Sequence, residues 1–129
     1  MANIEGNVGS KILFENDNII VWDFELKPGE ETPIHRHQHS YMWYAIQGAP
    51  LDCEDSEGND LGIFDVPTGS VFHIHCDGDT LEVMSELSKG VRFPVTHKAK
   101  NVGEQTYREI LIEFKNQDGG NPFISQAQG

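Results

Sequence analysis

Turn-forming clusters recur along this chain at intervals of roughly 8 to 12 residues, a spacing that leaves room for short strands and little else. Asn16-Asp17-Asn18, Pro28-Gly29, Ser56-Glu57-Gly58-Asn59, Pro67-Thr68-Gly69, Asp77-Gly78-Asp79, Ser88-Lys89-Gly90 and Gly103-Glu104 punctuate it. Such residues either reach left-handed backbone cheaply or hydrogen-bond their own main chain. Between them the apolar residues alternate. In 19–26, Ile20, Trp22, Phe24 and Leu26 share one face while Val21, Asp23 and Glu25 share the other, the period of a half-buried strand. Strands are expected over 11–14, 19–26, 51–54, 61–64, 71–76, 81–87, 91–95, 96–102 and 107–115. In the last of these Ile110, Ile112 and Phe114 lie on the face of Arg108, and Glu109, Glu113 and Lys115 on that of Leu111. No helical period and no fixed repeat is present, so the fold class is all-β, a small antiparallel jelly roll.

A second feature carries chemistry. His35, His37 and His39 occupy alternate positions in 29–48, GEETPIHRHQHSYMWYAIQG, and on an extended chain they project together while Arg36 and Gln38 project away. Neutral imidazole is the commonest protein metal ligand, and two from one strand can converge on an ion inside a cavity. The plainer reading is an exposed basic edge. The run Tyr41 to Ile46 either continues this strand or pairs beside it. His73 and His75 repeat the His-x-His spacing beside Cys76, as a second candidate cluster or as the polar face of a hairpin.

Composition narrows the partners. With 129 residues the chain fits one domain, 1–129, with a core at about 11–115. The tail 116–129, rich in Gly, Asn and Gln, is expected to be flexible, or to dock Pro122-Phe123-Ile124 on a neighbouring subunit. Nine Lys and Arg against 21 Asp and Glu give a net charge of −12. That balance argues against binding nucleic acid or an anionic membrane. No leader-like start and no membrane-length apolar window is seen, so a cytoplasmic location is expected. Cys53 and Cys76 are too few for a disulfide framework and read as small buried or half-buried residues.

Gly29, His35, His37 and Gly48 stand in the register of Gly-x5-His-x-His-x3-Glu-x6-Gly, so this stretch resembles the first signature of the cupin superfamily, with Tyr41 in the glutamate's place. The second signature, Gly-x5-Pro-x-Gly-x2-His-x3-Asn, is matched in pieces. Pro67-Thr68-Gly69 fits its middle, Phe72 stands where its histidine belongs, and His97-Lys98-Ala99-Lys100-Asn101 restores His-x3-Asn. The resemblance covers about 19–115 and implies that a hairpin over about 70–95 interrupts the second signature. It implies a single-domain cupin barrel, with His35, His37 and His97 holding a divalent transition metal and His39, His73 or His75 as alternatives.

A phenol is neutral near pH 7 and a poor ligand. Three neutral nitrogens would leave the full dipositive charge on the ion, which suits an anionic, chelating substrate. The set is similar to the three-histidine sites of cupin dioxygenases acting on diketones, thiols or aromatic hydroxyacids. Fe(II) is therefore favoured, with Zn, Ni or Mn possible, and a small organic acid or diketone-like molecule is the expected substrate. A lyase or isomerase, or a non-catalytic ligand- or metal-binding cupin, is the alternative on the same scaffold. Tyr41 and Trp43 are candidate pocket residues, with Met42 or Tyr44 beside them, and Arg92 and Arg108 are candidate clamps for a substrate carboxylate. The edges of such sheets lead us to expect a homodimer, formed by sheet packing or by exchange of the strand at 11–14.

Overall fold

A computed structural model describes residues 10–115. The N-terminal residues 1–9 and the proposed docking tail 116–129 lie outside the described residues. Among the described residues eleven strands make two sheets. The larger is built from β1 (Lys11–Glu15), β2 (Ile19–Leu26), β4 (Ser40–Gln47), β7 (Val71–Asp77), β8 (Thr80–Val83), β9 (Arg92–Pro94) and β11 (Tyr107–Phe114), in the order β1-β2-β11-β4-β7-β8-β9. The smaller holds β3 (His35–Arg36), β5 (Ala49–Asp55), β6 (Asp60–Val66) and β10 (Thr96–Asn101), in the order β3-β10-β5-β6. Every pairing is antiparallel. The chain shuttles between the sheets, from β2 to β3, back to β4, across to β5 and β6, back to β7, and finally from β10 to β11. This is a jelly roll. Among the described residues no helix is long and apolar enough to cross a membrane.

Alternation sets the core. Trp22 and Leu26 of β2, Tyr41, Trp43 and Ala45 of β4, Phe72 and Ile74 of β7, and Tyr107 and Leu111 of β11 are buried against Leu51 and Val66 of the smaller sheet. In β11 the inward face is thus the one with Leu111, and it brings Glu109 and Glu113 into the interior, 5% and 1% exposed. Ile110, Ile112 and Phe114 are turned to the outer face and are only half-buried.

Three residues of the family-like pattern have visible work. A Cβ on Gly48 would meet the Val66 carbonyl oxygen at 1.9 Å, so only glycine lets β4 pass to β5 there. Gly29 turns the chain at φ +83°, a left-handed backbone open to glycine at little cost. Asn101, fully buried, donates through Nδ2 to Leu26 O and Gln105 O at 2.9 and 2.8 Å and accepts from Gly103 N at 2.8 Å, closing the loop before β11.

Two expectations are corrected. Tyr41 to Ile46 neither continues the histidine strand nor pairs beside it, since β3 lies in the smaller sheet and β4 in the larger. The chain crosses over at 37–39. The segment 70–95 is not a hairpin apart from the barrel either: β7 pairs with β4 and packs Phe72 and Ile74, both fully buried, into the core. Only β8 and β9 extend the sheet beyond it, and β8 ends at Val83 rather than running on to residue 87.

Candidate metal centre

The register of β3 on β10 sets His35 directly opposite His97. His37 follows where β3 ends, anchored by its own N–H on Val95 O at 2.9 Å. The three rings meet with centroids 4.7 to 4.9 Å apart. Each residue offers one ring nitrogen, and those nitrogens all lie within 4.8 Å of one another. All three side chains are buried.

Hydrogen bonds orient two of the rings. His35 Nδ1 faces Pro33 O at 3.1 Å and His97 Nδ1 faces Pro94 O at 2.8 Å. A carbonyl only accepts, so it holds the ring proton on Nδ1 and leaves the Nε2 lone pair free, the arrangement that metal-binding histidines use. His37 Nδ1 is buried with no hydrogen-bond partner among the described residues. Such an atom is costly unless something satisfies it.

Burial keeps all three neutral. It lowers His97 to about 3, with the charge of His35 adding to the effect. It lowers His37 well below the ordinary value, helped by His97 and His35, and it lowers His35 against the opposing bond to Pro33. Three lone pairs therefore converge on one point near neutral pH, and among the described residues no carboxylate belongs to the cluster. This donor set fits a divalent transition ion.

Around the cluster lies a cavity of about 400 Å³, walled by both sheets. That is ample for a small molecule. Phe24, Trp43 and Leu111 line it from the larger sheet, and Leu51, Phe64 and Ala99 from the smaller. Tyr41 also lines it, its ring stacked on His37 at 4.3 Å and 11°. Burial, the carboxylate of Glu109 and further neighbours raise the Tyr41 phenol well above 10, so it stays neutral.

The remaining candidates are dispersed. His39 leaves the face shared by His35 and His37 because the crossover breaks the alternation; its Nδ1 contacts Glu113 Oε2 at 3.0 Å, and it is outside the cluster. Glu113 also accepts from Trp22 Nε1 at 2.6 Å. His73 and His75 stand on β7 and line neither the cluster nor the cavity. Met42 and Tyr44 have the outward parity of β4 and are not cavity residues. Arg108 is turned outward and pairs with Asp23 at 3.3 Å, so it cannot clamp a substrate in this cavity. Arg92 reaches the rim, two-thirds exposed and paired with Glu82 at 3.3 Å. Cys53 and Cys76 are free and half-buried, and Cys53 lines the cavity.

One cavity residue does not stand out in the sequence. Glu109 is buried, and burial lifts its carboxyl to about 8 despite the bond it accepts from the Tyr107 hydroxyl. Its only signal in the sequence is a charge on the face of Leu111.

An antiparallel jelly roll enclosing three convergent, uncharged histidines defines a small β-barrel protein that can hold a divalent metal ion. The chain has the fold of the cupin superfamily. A cupin domain from Bordetella pertussis Tohama I superposes with a TM-score of 0.58 at 21% identity, over 81% of this chain and 90% of that one. The cupin domain of Schizosaccharomyces pombe Cnp3 gives 0.50 at 15% identity, over 92% of this chain and 68% of that one. No protein-family model and no curated protein matches the sequence.

Proposed function

We propose that this chain is a metal-dependent enzyme of the three-histidine, non-haem iron dioxygenase kind, acting on a small organic acid or diketone-like molecule. The observation that carries the reading is the convergence of His35, His37 and His97 without a carboxylate, beside a cavity of molecular size. Ferrous iron held there would supply redox chemistry toward oxygen, whereas zinc, which has no redox chemistry, would supply Lewis acidity alone. The protein's own part is to offer three neutral nitrogens, to keep water out with Phe24, Trp43, Leu111 and Phe64, and to hold the substrate's apolar body. Tyr41 adds no negative charge where the family pattern has a glutamate, so the centre retains its attraction for an anionic chelating group.

The test is anaerobic reconstitution with ferrous iron, followed by 1,3-diketones, thiol acids and hydroxybenzoates. Substrate-dependent oxygen uptake with at least one class is expected. No uptake with any of them, together with turnover of a hydroxy acid or sugar by the zinc or manganese form, would replace the dioxygenase with a lyase or isomerase. Binding without turnover in every metal form would make the protein a ligand-binding cupin.

A further inference from the structure

Glu109 is a buried acid that lines the cavity. Its Oε1 accepts a hydrogen bond from the Tyr107 hydroxyl. Trp43, on the neighbouring strand, lies two residues along from the register partner of Glu109, Ala45. The Trp43 Nε1 donor is buried and has no hydrogen-bond partner among the described residues, although the ring lines the same cavity. A buried N–H without an acceptor and a buried carboxyl held by one bond both lack what a ligand oxygen would provide. Among the described residues, the side chains lining the cavity offer no free countercharge that would keep Glu109 ionised, and a metal held at the histidines would have its charge partly met by the ligand's own anionic chelating group. Among the described residues, the one Lys or Arg in the cavity lining is Arg92, at the rim and already paired with Glu82. An isolated buried carboxylate is far costlier than a neutral acid, and the neutral acid is a donor.

We infer that Glu109, positioned by Tyr107, and Trp43 form a second recognition subsite, which donates hydrogen bonds to an uncharged oxygen of the bound molecule. The inference rests on the metal-centre reading for the molecule's other end. The cavity would then take a bifunctional compound, with a chelating group at the histidines and a carbonyl-type oxygen held away from them. A second carboxylate at that end would be disfavoured, having no free cation to meet it.

The probes are aliphatic hydroxamates, whose hydroxamate group chelates metal. One series carries a terminal methyl ketone after one to four methylene groups. Matched series replace the acetyl end with isopropyl or with a carboxylate. Binding to the zinc-loaded protein is measured by calorimetry. At one chain length or more the ketone should bind roughly five- to tenfold tighter than its isopropyl match, the worth of one or two hydrogen bonds, and the carboxylate should bind more weakly than the ketone. Glu109→Gln, which still has a donor, should keep most of the preference, and Glu109→Leu should reduce the ratio toward one.

A ketone that is not preferred at any length, or a carboxylate preferred throughout, overturns the subsite while leaving the centre intact. Hydroxamates that bind no better with zinc than without it would instead overturn the metal-centre reading. The wild-type series alone decides the matter if either variant fails to fold.

Discussion

At the scale of single residues the interior holds two kinds of titratable group, and they oppose each other in pH. Glu109 has a folded value of about 8 against an ordinary 4.5. The folded state therefore keeps a proton that the unfolded chain releases between those values, and stability falls as pH rises through that window. Within the window, each step of one in pH costs the folded state about 1.4 kcal/mol. In metal-free protein, Glu109→Gln should gain stability relative to wild type as pH goes from 5 to 8, with the gap constant below about 4.5. Urea melts at a series of pH values measure it, and parallel curves for the two proteins would show that the carboxyl is not buried as described. The histidines act in the other direction, since acid must charge groups that the fold keeps neutral.

The residues of the cluster are legible in the sequence because His-x-His at strand spacing and His-x3-Asn are local patterns. Glu109 is not, because a period of two identifies two faces without saying which is inside. Hydrophobicity would favour the face with Ile110, Ile112 and Phe114, and the fold turns that face outward.

At the scale of elements, the strands are readable and their partnerships are not. Turn residues mark where a strand ends, so β2 falls at 19–26 in both sequence and structure. Which sheet a strand joins depends on contacts across the barrel, which leave no local trace. The crossover at 37–39 therefore looks like continuous strand in the sequence, and β7 looks like part of an insertion. The place of β7 makes a definite claim about energetics. Phe72 is fully buried, stacked on Trp43 at 4.9 Å and packed on Phe64 at 5.1 Å. Truncating such a ring leaves a cavity, so Phe72→Ala should cost about 3–5 kcal/mol in chemical denaturation. A loss below about 1 kcal/mol would mean that β7 is peripheral. Gly48→Ala should also destabilise the barrel, because the Val66 backbone it would meet cannot rotate away.

At the scale of the whole molecule, the outer face of the larger sheet carries an apolar strip among polar residues such as Asp23, Arg108 and His73. Antiparallel register places Phe14, Val21, Ile112 and Met42 in one row across its outer face, with Ile110, Tyr44 and Val71 in the next. Phe14, Tyr44 and Val71 are about half exposed, at 53%, 50% and 46%. A face of this kind is ordinarily covered, and our proposal is a homodimer in which a second copy covers it. Light scattering at micromolar concentration should report about twice the 14.5 kDa chain mass, and Ile112→Asp with Tyr44→Asp should return it to one. A wild-type monomer would contradict the proposal.

Everything proposed about function passes through three side chains, so the most direct test is metal content. Protein purified without chelators, and without a metal-affinity tag, should contain close to one equivalent of a divalent transition metal by elemental analysis. His35→Ala, His37→Ala and His97→Ala should each empty the site, while His39→Ala, His73→Ala and His75→Ala leave it nearly full. Wild-type protein that neither carries nor takes up a metal, or a His97→Ala variant that retains one, would contradict the account.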